Sequence, residues 1–584
     1  MIKEKRKRMV WFMKKRFLLL LILAAILISA ASASHDMEII PLSSPVYEYM
    51  ENLYVLEGKA APQGAKPWTV ADVKQQLDRI TPTSVPAQNL YDILCEYTDN
   101  EDEKNVKVDV DMALTPSLGL HLNNTDFDES GKWRSQVLND KLLHLNGSLY
   151  VYDYFAADMG LSVGLMNSVQ AYNTGEDPEK NDEWYKSDHE DRFSERMASN
   201  IPFLSPGDID VDVTDNSYIS VGVPYISLSL GRGQLSLGNG KMGNLILGNT
   251  LPYHDYLSIS ASNNTWFDYT MLMSFFTHPM NYIEHRISGK ESDINGIQMF
   301  IAHRFEMRMF SDKLRLSINE ATMYQSEDNT IDFRVFNPLL IMHGYYISAN
   351  ANSLASIELE FAPVKNLQLY ASFVIDDLSV FGEPKVPEKN STLNMWGVMG
   401  GMRVSVPAKK GYFTLGLEAV YTSPFMYHKE TYNGATEHSL DFIGSIRHNM
   451  GESYNRQYLS FPFGSDALAA LLDVTYTNPM KWSLGMNIFA MMHGTTDIDS
   501  TAMRYDGKMT EVPGWISDKN PFEDDGKNSV SYTFDIGFNA GCYLTRNLSL
   551  NTAVDFIYVA NMDNIAGNSR QDIQFTLAVE YNIF

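Results

Sequence analysis

The amino-acid sequence predicts an all-β transmembrane barrel of about 16–18 antiparallel strands, preceded by a small helical bundle. Three observations predict this fold: an export signal at the N-terminus, an apolar/polar alternation with period two, and a regular exchange of short and long connections. The mean hydropathy of −0.22 is too polar for a helical membrane protein. It suits a barrel, because only every second strand residue faces lipid. The aromatic content of 12% would supply residues for both membrane interfaces.

The N-terminus has the layout of a secretory signal, which we assign to residues 1–33. Residues 3–16 carry eight basic side chains and one acidic side chain, and residues 17–30 are apolar or small. Ala31-Ser32-Ala33 then forms a small-residue cleavage site. The apolar run is shorter than the ~18–20 residues that a membrane-spanning helix needs. Removing this segment takes away a net charge of plus seven and lowers the formal charge from −26 to −33. Nucleic acid is excluded as a partner, because a chain this acidic would repel its phosphates.

Residues 34–104 are predicted to form a periplasmic helical region and a charged linker. Ser44-Pro45, Thr69 with Asp72, and Pro86 each mark the start of a short amphipathic helix. Helices this short cannot bury their apolar faces alone. We therefore expect them to pack on one another and against the end of a larger body.

Residues 105–584 are predicted to form the barrel. Apolar and polar residues alternate from Val106 to Leu114, and similar alternation recurs along the rest of the chain. Short polar turns join consecutive runs, for example at Asp312, Lys365, Asn478 and Arg546. The connections between these hairpins are long and polar, for example residues 175–196, 377–393, 428–440 and 495–528. This asymmetry is typical of an outer-membrane barrel, whereas a soluble β-sandwich or propeller shows it less consistently.

The last strand predicts how the barrel closes and assembles. Apolar residues alternate with polar ones from Ile573 to Ile583, and the chain ends at Phe584. This pattern resembles the C-terminal signal that the barrel assembly machinery of the outer membrane reads. We expect the last strand to pair with the first, near Val106 to Leu114, and the outer face to contact outer-membrane lipid.

A glycine-rich stretch from Gly231 to Pro252 is the most informative candidate site. Leu235 and Leu237 share one face and are interpreted as lipid-facing, which would point Arg232 and Gln234 into the lumen. The four candidate ligand-binding residues are Arg232, Gln234, Asn239 and Asn244. The alternative is structural, a hairpin in which Arg232 pairs with an acidic neighbour.

Six aromatic residues of the long loops are further candidates for sugar contacts, with anchoring at the membrane interface as the alternative: Trp184, Tyr185, Trp396, Tyr427, Tyr432 and Trp515.

Catalytic and metal-binding motifs are absent from the sequence. It contains no GxSxG, HExxH or P-loop motif, and His285 and His303 are interpreted as surface or lumen residues. The acidic clusters lack the ligand spacing of a calcium site, and Cys95 and Cys542 belong to no metal motif. We therefore expect no cofactor, no metal and no enzymatic activity.

The Gly231–Pro252 stretch resembles the central motif of the capsule assembly protein Wzi family. His303-Arg304-Phe305-Glu306, Asn319-Glu320-Ala321 and Asn337-Pro338 follow in the order of that family. The resemblance implies an 18-stranded outer-membrane barrel with a periplasmic helical bundle. It also implies a non-enzymatic role in holding capsular or other surface polysaccharide. A porin or substrate-specific channel remains the alternative, because a polar lumen alone would suffice for it.

Overall fold

The computed structural model of the protein describes most of the chain between residues 35 and 583. The described ranges are 35–98, 106–123, 141–165, 197–201, 209–212, 216–276, 297–326, 331–338, 351–377, 394–429, 431–432, 440–448, 453–498, 500, 503–504, 515–520 and 526–583. The predicted export signal, the charged linker, Trp184, Tyr185, His285 and Phe584 lie outside these residues. Within the described part, no helix is both long and apolar enough to cross a membrane.

The N-terminal region contains the three predicted helices. They are α1 (Val46–Leu56), α2 (Val70–Leu77) and α3 (Val85–Thr98). Thr69 and Asp72 form the predicted capping box of α2, in which the Thr69 backbone N–H donates to the Asp72 carboxylate over 2.8 Å. The apolar faces of the helices meet around Trp68, which is fully buried. The predicted helical bundle is therefore confirmed.

From residue 106 onward, the described residues form 18 antiparallel strands of one closed barrel. The first strand, β1, has two parts, Val106–Leu114 and Ser117–His121, and Pro116 lies in the break between them. The fourth strand, β4, also has two parts, Ile209–Asp212 and Ser217–Val223. A short segment before it, Met197–Ser199, pairs with the second part of β1. The other strands are β2 (Lys141–Val151), β3 (Phe155–Leu165), β5 (Ile226–Gly233), β6 (His254–Ser262), β7 (Phe267–Phe276), β8 (Gln298–Met309), β9 (Leu314–Gln325), β10 (Ala351–Val364), β11 (Leu367–Asp377), β12 (Met395–Pro407), β13 (Tyr412–Thr422), β14 (Ala467–Asn478), β15 (Trp482–His493), β16 (Ser531–Thr545), β17 (Leu548–Ala560) and β18 (Arg570–Asn582).

The last strand closes the barrel against the first, as predicted. Tyr581 of β18 lies opposite Leu114, and Ala578 lies opposite Ser117. Closure satisfies the backbone hydrogen bonds that two free edges would leave open, which a strand in lipid cannot tolerate.

Strand parity separates an apolar outer face from a largely polar inner face. On β5, Ile226, Leu228 and Leu230 are exposed on the outside, whereas Ser227 and Ser229 point inward. The same alternation occurs on the other strands, so the exposed apolar side chains form a belt around the barrel.

The helices cover the end of the barrel that carries the short turns, which we call the helix end. The opposite rim is the far end. Lys59, just after α1, forms an ion pair of 3.0 Å with Asp312 of the β8–β9 turn. The backbone N–H of Asn366, in the β10–β11 turn, donates to the Val55 carbonyl over 2.9 Å. The predicted contact between the helices and these turns is therefore confirmed.

We predict that the helix end faces the periplasm, because the short turns of outer-membrane barrels lie on that side. The test uses a chain in which Cys95 and Cys542 are replaced by serine. An impermeant thiol reagent should label Ser569→Cys, at the exposed far-end turn, in intact cells. Arg546→Cys, whose native side chain is 90% exposed at the helix end, should be labelled only after the outer membrane is permeabilised. Equal labelling of both positions in intact cells would contradict this orientation.

Candidate functional site

Two chain segments enter the barrel from opposite ends and meet in the lumen. Residues 234–253, which connect β5 to β6, descend from the far end, and residues 59–68 rise from the helix end. They pair through a short antiparallel ladder in which Ala65 lies opposite Leu237 and Lys66 lies opposite Ser236. We call residues 234–253 the plug.

The plug corrects the prediction that Leu235 and Leu237 face lipid. Both side chains are inside the barrel and essentially unexposed, at 0% and 1%. They belong to an apolar cluster with Phe300, Met323 and Leu354, which project inward from the wall. An alternating apolar run gains its free energy equally well against an inner apolar surface, so alternation alone did not distinguish the two placements.

Residues 423–429, 440–448 and 453–466 lie beside the plug and pack against it. The Gly248 backbone N–H donates to the Leu459 carbonyl over 2.8 Å, and the Ser460 hydroxyl donates to the Ile246 carbonyl over 2.8 Å. Phe461 joins the apolar cluster of the plug and is fully buried. In the described part of the chain, side chains therefore pack the lumen around the plug.

A buried network of charges fastens the plug and the rising segment to the wall. Arg304 on β8 is completely buried, forms an ion pair with the neighbouring Glu306, and donates to Glu358 over 2.8 Å. Arg315 on β9 pairs with Glu360 at 2.7 Å. A further set of hydrogen bonds reaches the segments inside the lumen: Gly64 N–H to Glu306 (2.9 Å), Asn239 to Glu360 (3.1 Å), and Arg315 to the Pro62 carbonyl.

The sequence analysis did not identify this network, although a signal for it was present. Arg304, Glu306 and Arg308 alternate on β8, and Glu358 and Glu360 alternate on β10. Charges repeated with period two on a membrane-spanning strand must face the lumen, because the lipid face cannot hold them at low cost. Their complementary signs on nearby strands would then have indicated ion pairs.

Backbone geometry at the plug tip explains its glycines. Gly238 has φ = +122° and Gly243 has φ = +127°, which glycine adopts without strain. The Glu418 carboxylate of β13 accepts the backbone N–H groups of Lys241 and Met242, each over 2.8 Å. The tip is therefore anchored to the wall by its main chain.

The four predicted ligand-binding residues occupy two different environments. Asn239 and Asn244 are buried in the plug, where Asn244 donates to Ser236 over 2.8 Å and accepts the Gly240 N–H over 2.9 Å. Gln234 is half-buried at the start of the plug. The structure thus does not bring all four side chains to one surface.

Arg232 does not point into the lumen, which corrects the predicted orientation. It has the parity of the exposed Leu228 and Leu230, so it projects outward at the far end of β5. Its guanidinium pairs with Asp255 of β6 at 2.7 Å and stacks on the Tyr253 ring. The structural alternative, an ion pair with an acidic neighbour, is thus present in the fold.

The predicted aromatic candidates also lie in different parts of the fold. Trp396 and Trp515 each contact the Tyr421 ring at a tilted angle. This cluster lies on the outer face near the far end, where interface anchors belong. Tyr427 is fully buried, and its hydroxyl donates to the Leu245 carbonyl of the plug over 3.1 Å. The side chain of Tyr432 lies outside the described residues.

His303 projects from the outer face of β8 and is buried there. Its ring lies within 2.9 Å of the Tyr269 hydroxyl and 3.0 Å of the Val335 carbonyl, both part of the outer surface of the wall. Among the described residues, no group of three or more His, Cys, Asp or Glu side chains is arranged to hold a metal ion.

This sequence and fold can be compared with those of known proteins. The sequence profile of the capsule assembly protein Wzi family matches residues 154–470, which is more than half of the chain. Comparison with curated proteins gave no match.

Among solved structures, the chain is similar to Wzi of Escherichia coli, described as an outer-membrane protein involved in group 1 capsule assembly and as a carbohydrate-binding β-barrel. The identity is 12%, the TM-score is 0.55, and the match covers 94% of this chain and 99% of that one. OpdK and OprD, two outer-membrane proteins of Pseudomonas aeruginosa, match at 10% identity and a TM-score of 0.37. They cover 82% of this chain and 98% and 94% of their own lengths. Because the profile match covers more than half of the chain, the chain belongs to the capsule assembly protein Wzi family of outer-membrane β-barrels.

Proposed function

We propose that this outer-membrane barrel binds and retains surface or capsular polysaccharide and has no enzymatic activity. Membership of the capsule assembly family supports this role, as does the description of the Escherichia coli protein as carbohydrate-binding. The far end, which we predict to face the cell surface, is the side on which the polymer would be held.

The apolar packing around the plug is the observation that carries the proposal. A porin needs a continuous polar path, whereas here an apolar cluster that includes Leu245, Leu459 and Phe489 crosses the interior. The buried ion pairs of Arg304 and Arg315 hold the segments in place. A barrel built this way is suited to binding at its surface rather than to conducting solutes.

Among the four candidate residues, we propose that Arg232 and Gln234 contact polysaccharide at the far rim. The Arg232 side chain is 32% exposed, and Gln234 is half-buried. Asn239 and Asn244 would contribute indirectly, because their amides hold the plug together.

The proposal is tested with the full chain in two measurements. In planar bilayers the purified barrel should show no sustained open-channel conductance. In cells, Arg232→Ala combined with Gln234→Ala should release surface polysaccharide at unchanged protein level, because two rim contacts are lost. Arg334→Ala is a matched control, since Arg334 also forms an exposed ion pair, with Asp332, on the outer face of the barrel.

Free ion conductance together with normal polysaccharide retention in a strain lacking the protein would replace the retention role with the porin alternative. Normal retention by the double variant would remove Arg232 and Gln234 from the site without affecting the role itself.

A further inference from the structure

A polar cavity of about 650 Å³ lies at the helix end, separate from the far rim. It is enclosed by the start of α1, the plug tip at Lys241, and the inner wall from β12 to β18. Its volume falls within the ~300–1,000 Å³ typical of small-molecule sites.

One side of the cavity presents amide and hydroxyl groups from consecutive strands. Asn539 on β16 and Asn551 on β17 project inward, as do Thr414 and Thr475 on β13 and β14. Asn551 is exposed to solvent although it points into the barrel, so water reaches this surface. Such groups both donate and accept hydrogen bonds, which is what sugar hydroxyls require.

The ring of Tyr543 lines the same cavity. Tyr543 is 37% exposed and has the inward parity of Asn539, whereas Trp482 has the parity of the exposed Leu484 and contacts Tyr476 on the outer face. Aromatic side chains combine an apolar face with a polar edge, and the apolar face can pack against the C–H surface of a sugar ring.

Arg403 supplies a buried donor at the cavity wall. Its side chain is only 6% exposed, and one terminal guanidinium nitrogen donates to Gln368 over 3.0 Å. Its Nε–H has no hydrogen-bond partner within the protein, although Arg403 lines the cavity. A buried donor without a partner is costly, so a ligand oxygen or water at this position would stabilise it.

The charges around the cavity select against acidic ligands. The lining carries the carboxylates Glu48, Glu51 and Glu580 and the cations Lys241 and Arg403. Lys241 is already paired with Asp473 at 2.7 Å. Burial raises the pKa of Glu51, but the charges of Lys66 and Arg403 lower it further, so its pKa lies below the usual value and the group stays ionised. Carboxylates therefore outnumber cations in the lining of the cavity.

We propose that this cavity binds a short neutral oligosaccharide at the helix end. The site is distinct from the polysaccharide contact at the far rim and goes beyond the retention role. Asn539 and Asn551 would bind hydroxyl groups, and Tyr543 would stack on a sugar ring.

The experiment uses the full chain in detergent and three probes: maltotetraose, the tetramer of N-acetylglucosamine, and tetragalacturonate as an acidic control. At least one neutral tetramer should bind saturably in isothermal titration calorimetry, and tetragalacturonate should not. Asn551→Trp should fill the cavity and weaken binding roughly tenfold or more, equivalent to about 1.4 kcal/mol. Asn146→Trp is the matched control, because Asn146 is also an exposed, inward-facing asparagine but does not line the cavity.

Tyr543→Ala keeps the proposal testable if Asn551→Trp does not fold, since it should weaken binding by removing the ring on which the sugar stacks. Absence of binding by both neutral tetramers, equal binding of tetragalacturonate, or equal weakening by Asn146→Trp would each overturn the proposal. Failure here is separable from failure of the retention role, because Asn551→Trp should leave surface polysaccharide retention unchanged.

Discussion

Replacing Arg304 with methionine is expected to lower the free energy of unfolding of the barrel by about 3–5 kcal/mol. The substitution leaves Glu358 buried without its cation. Glu306 keeps Arg315, at 3.3 Å, as an ion-pair partner. Methionine fills much of the space of arginine, so the loss reports on uncompensated charge rather than on a cavity. Denaturant unfolding of the refolded barrel in lipid measures the change.

Arg232→Met is the matched control for this experiment. Arg232 forms an exposed ion pair with Asp255, so its loss should cost only ~0–1 kcal/mol. Adding Glu358→Gln to Arg304→Met should recover part of the stability, because a neutral amide is less costly to bury than an unpaired carboxylate. A loss in Arg304→Met as small as that in Arg232→Met would refute the structural importance of the network.

Deleting residues 570–584, which include all of β18, is expected to reduce membrane-inserted barrel roughly tenfold or more, because two unpaired strand edges cannot persist in lipid. β18 pairs with β17 along its length and with β1 at the seam. The shorter deletion of residues 581–584 removes the Tyr581 pairings with Leu114 and Leu548 and should cause a smaller loss. Heat-modifiable migration on gels and the abundance of the protein in outer-membrane fractions measure the effect.

The control is a deletion of equal length, residues 379–393, in the long connection between β11 and β12. Long connections tolerate deletion better than strands do, so this variant should assemble close to normally. Normal migration and abundance after the loss of residues 570–584 would show that closure does not depend on β18.

The sequence by itself determined the barrel wall and the helical region, because both depend on local periodicity. Alternation from Val106 to Leu114 and from Ile573 to Ile583 identified the two strands that meet at the seam. Thr69 and Asp72 marked the start of α2 through a contact between residues only three positions apart. Short turns such as the one at Asp312 established which ends of the strands lie together.

Only the tertiary structure decided what fills the lumen and where the candidate residues lie. Leu235 and Leu237 satisfy an alternating pattern against lipid or against the inward-facing Phe300, and no local signal separates these two choices. The chain leaves the wall after Gly233, so the orientation of Leu235 and Leu237 does not predict that of Arg232. Arg232 lies within β5 and faces outward. The pairing of Arg304 with Glu358 depends on the register of strands that are distant in sequence, and therefore on the closed barrel as a whole.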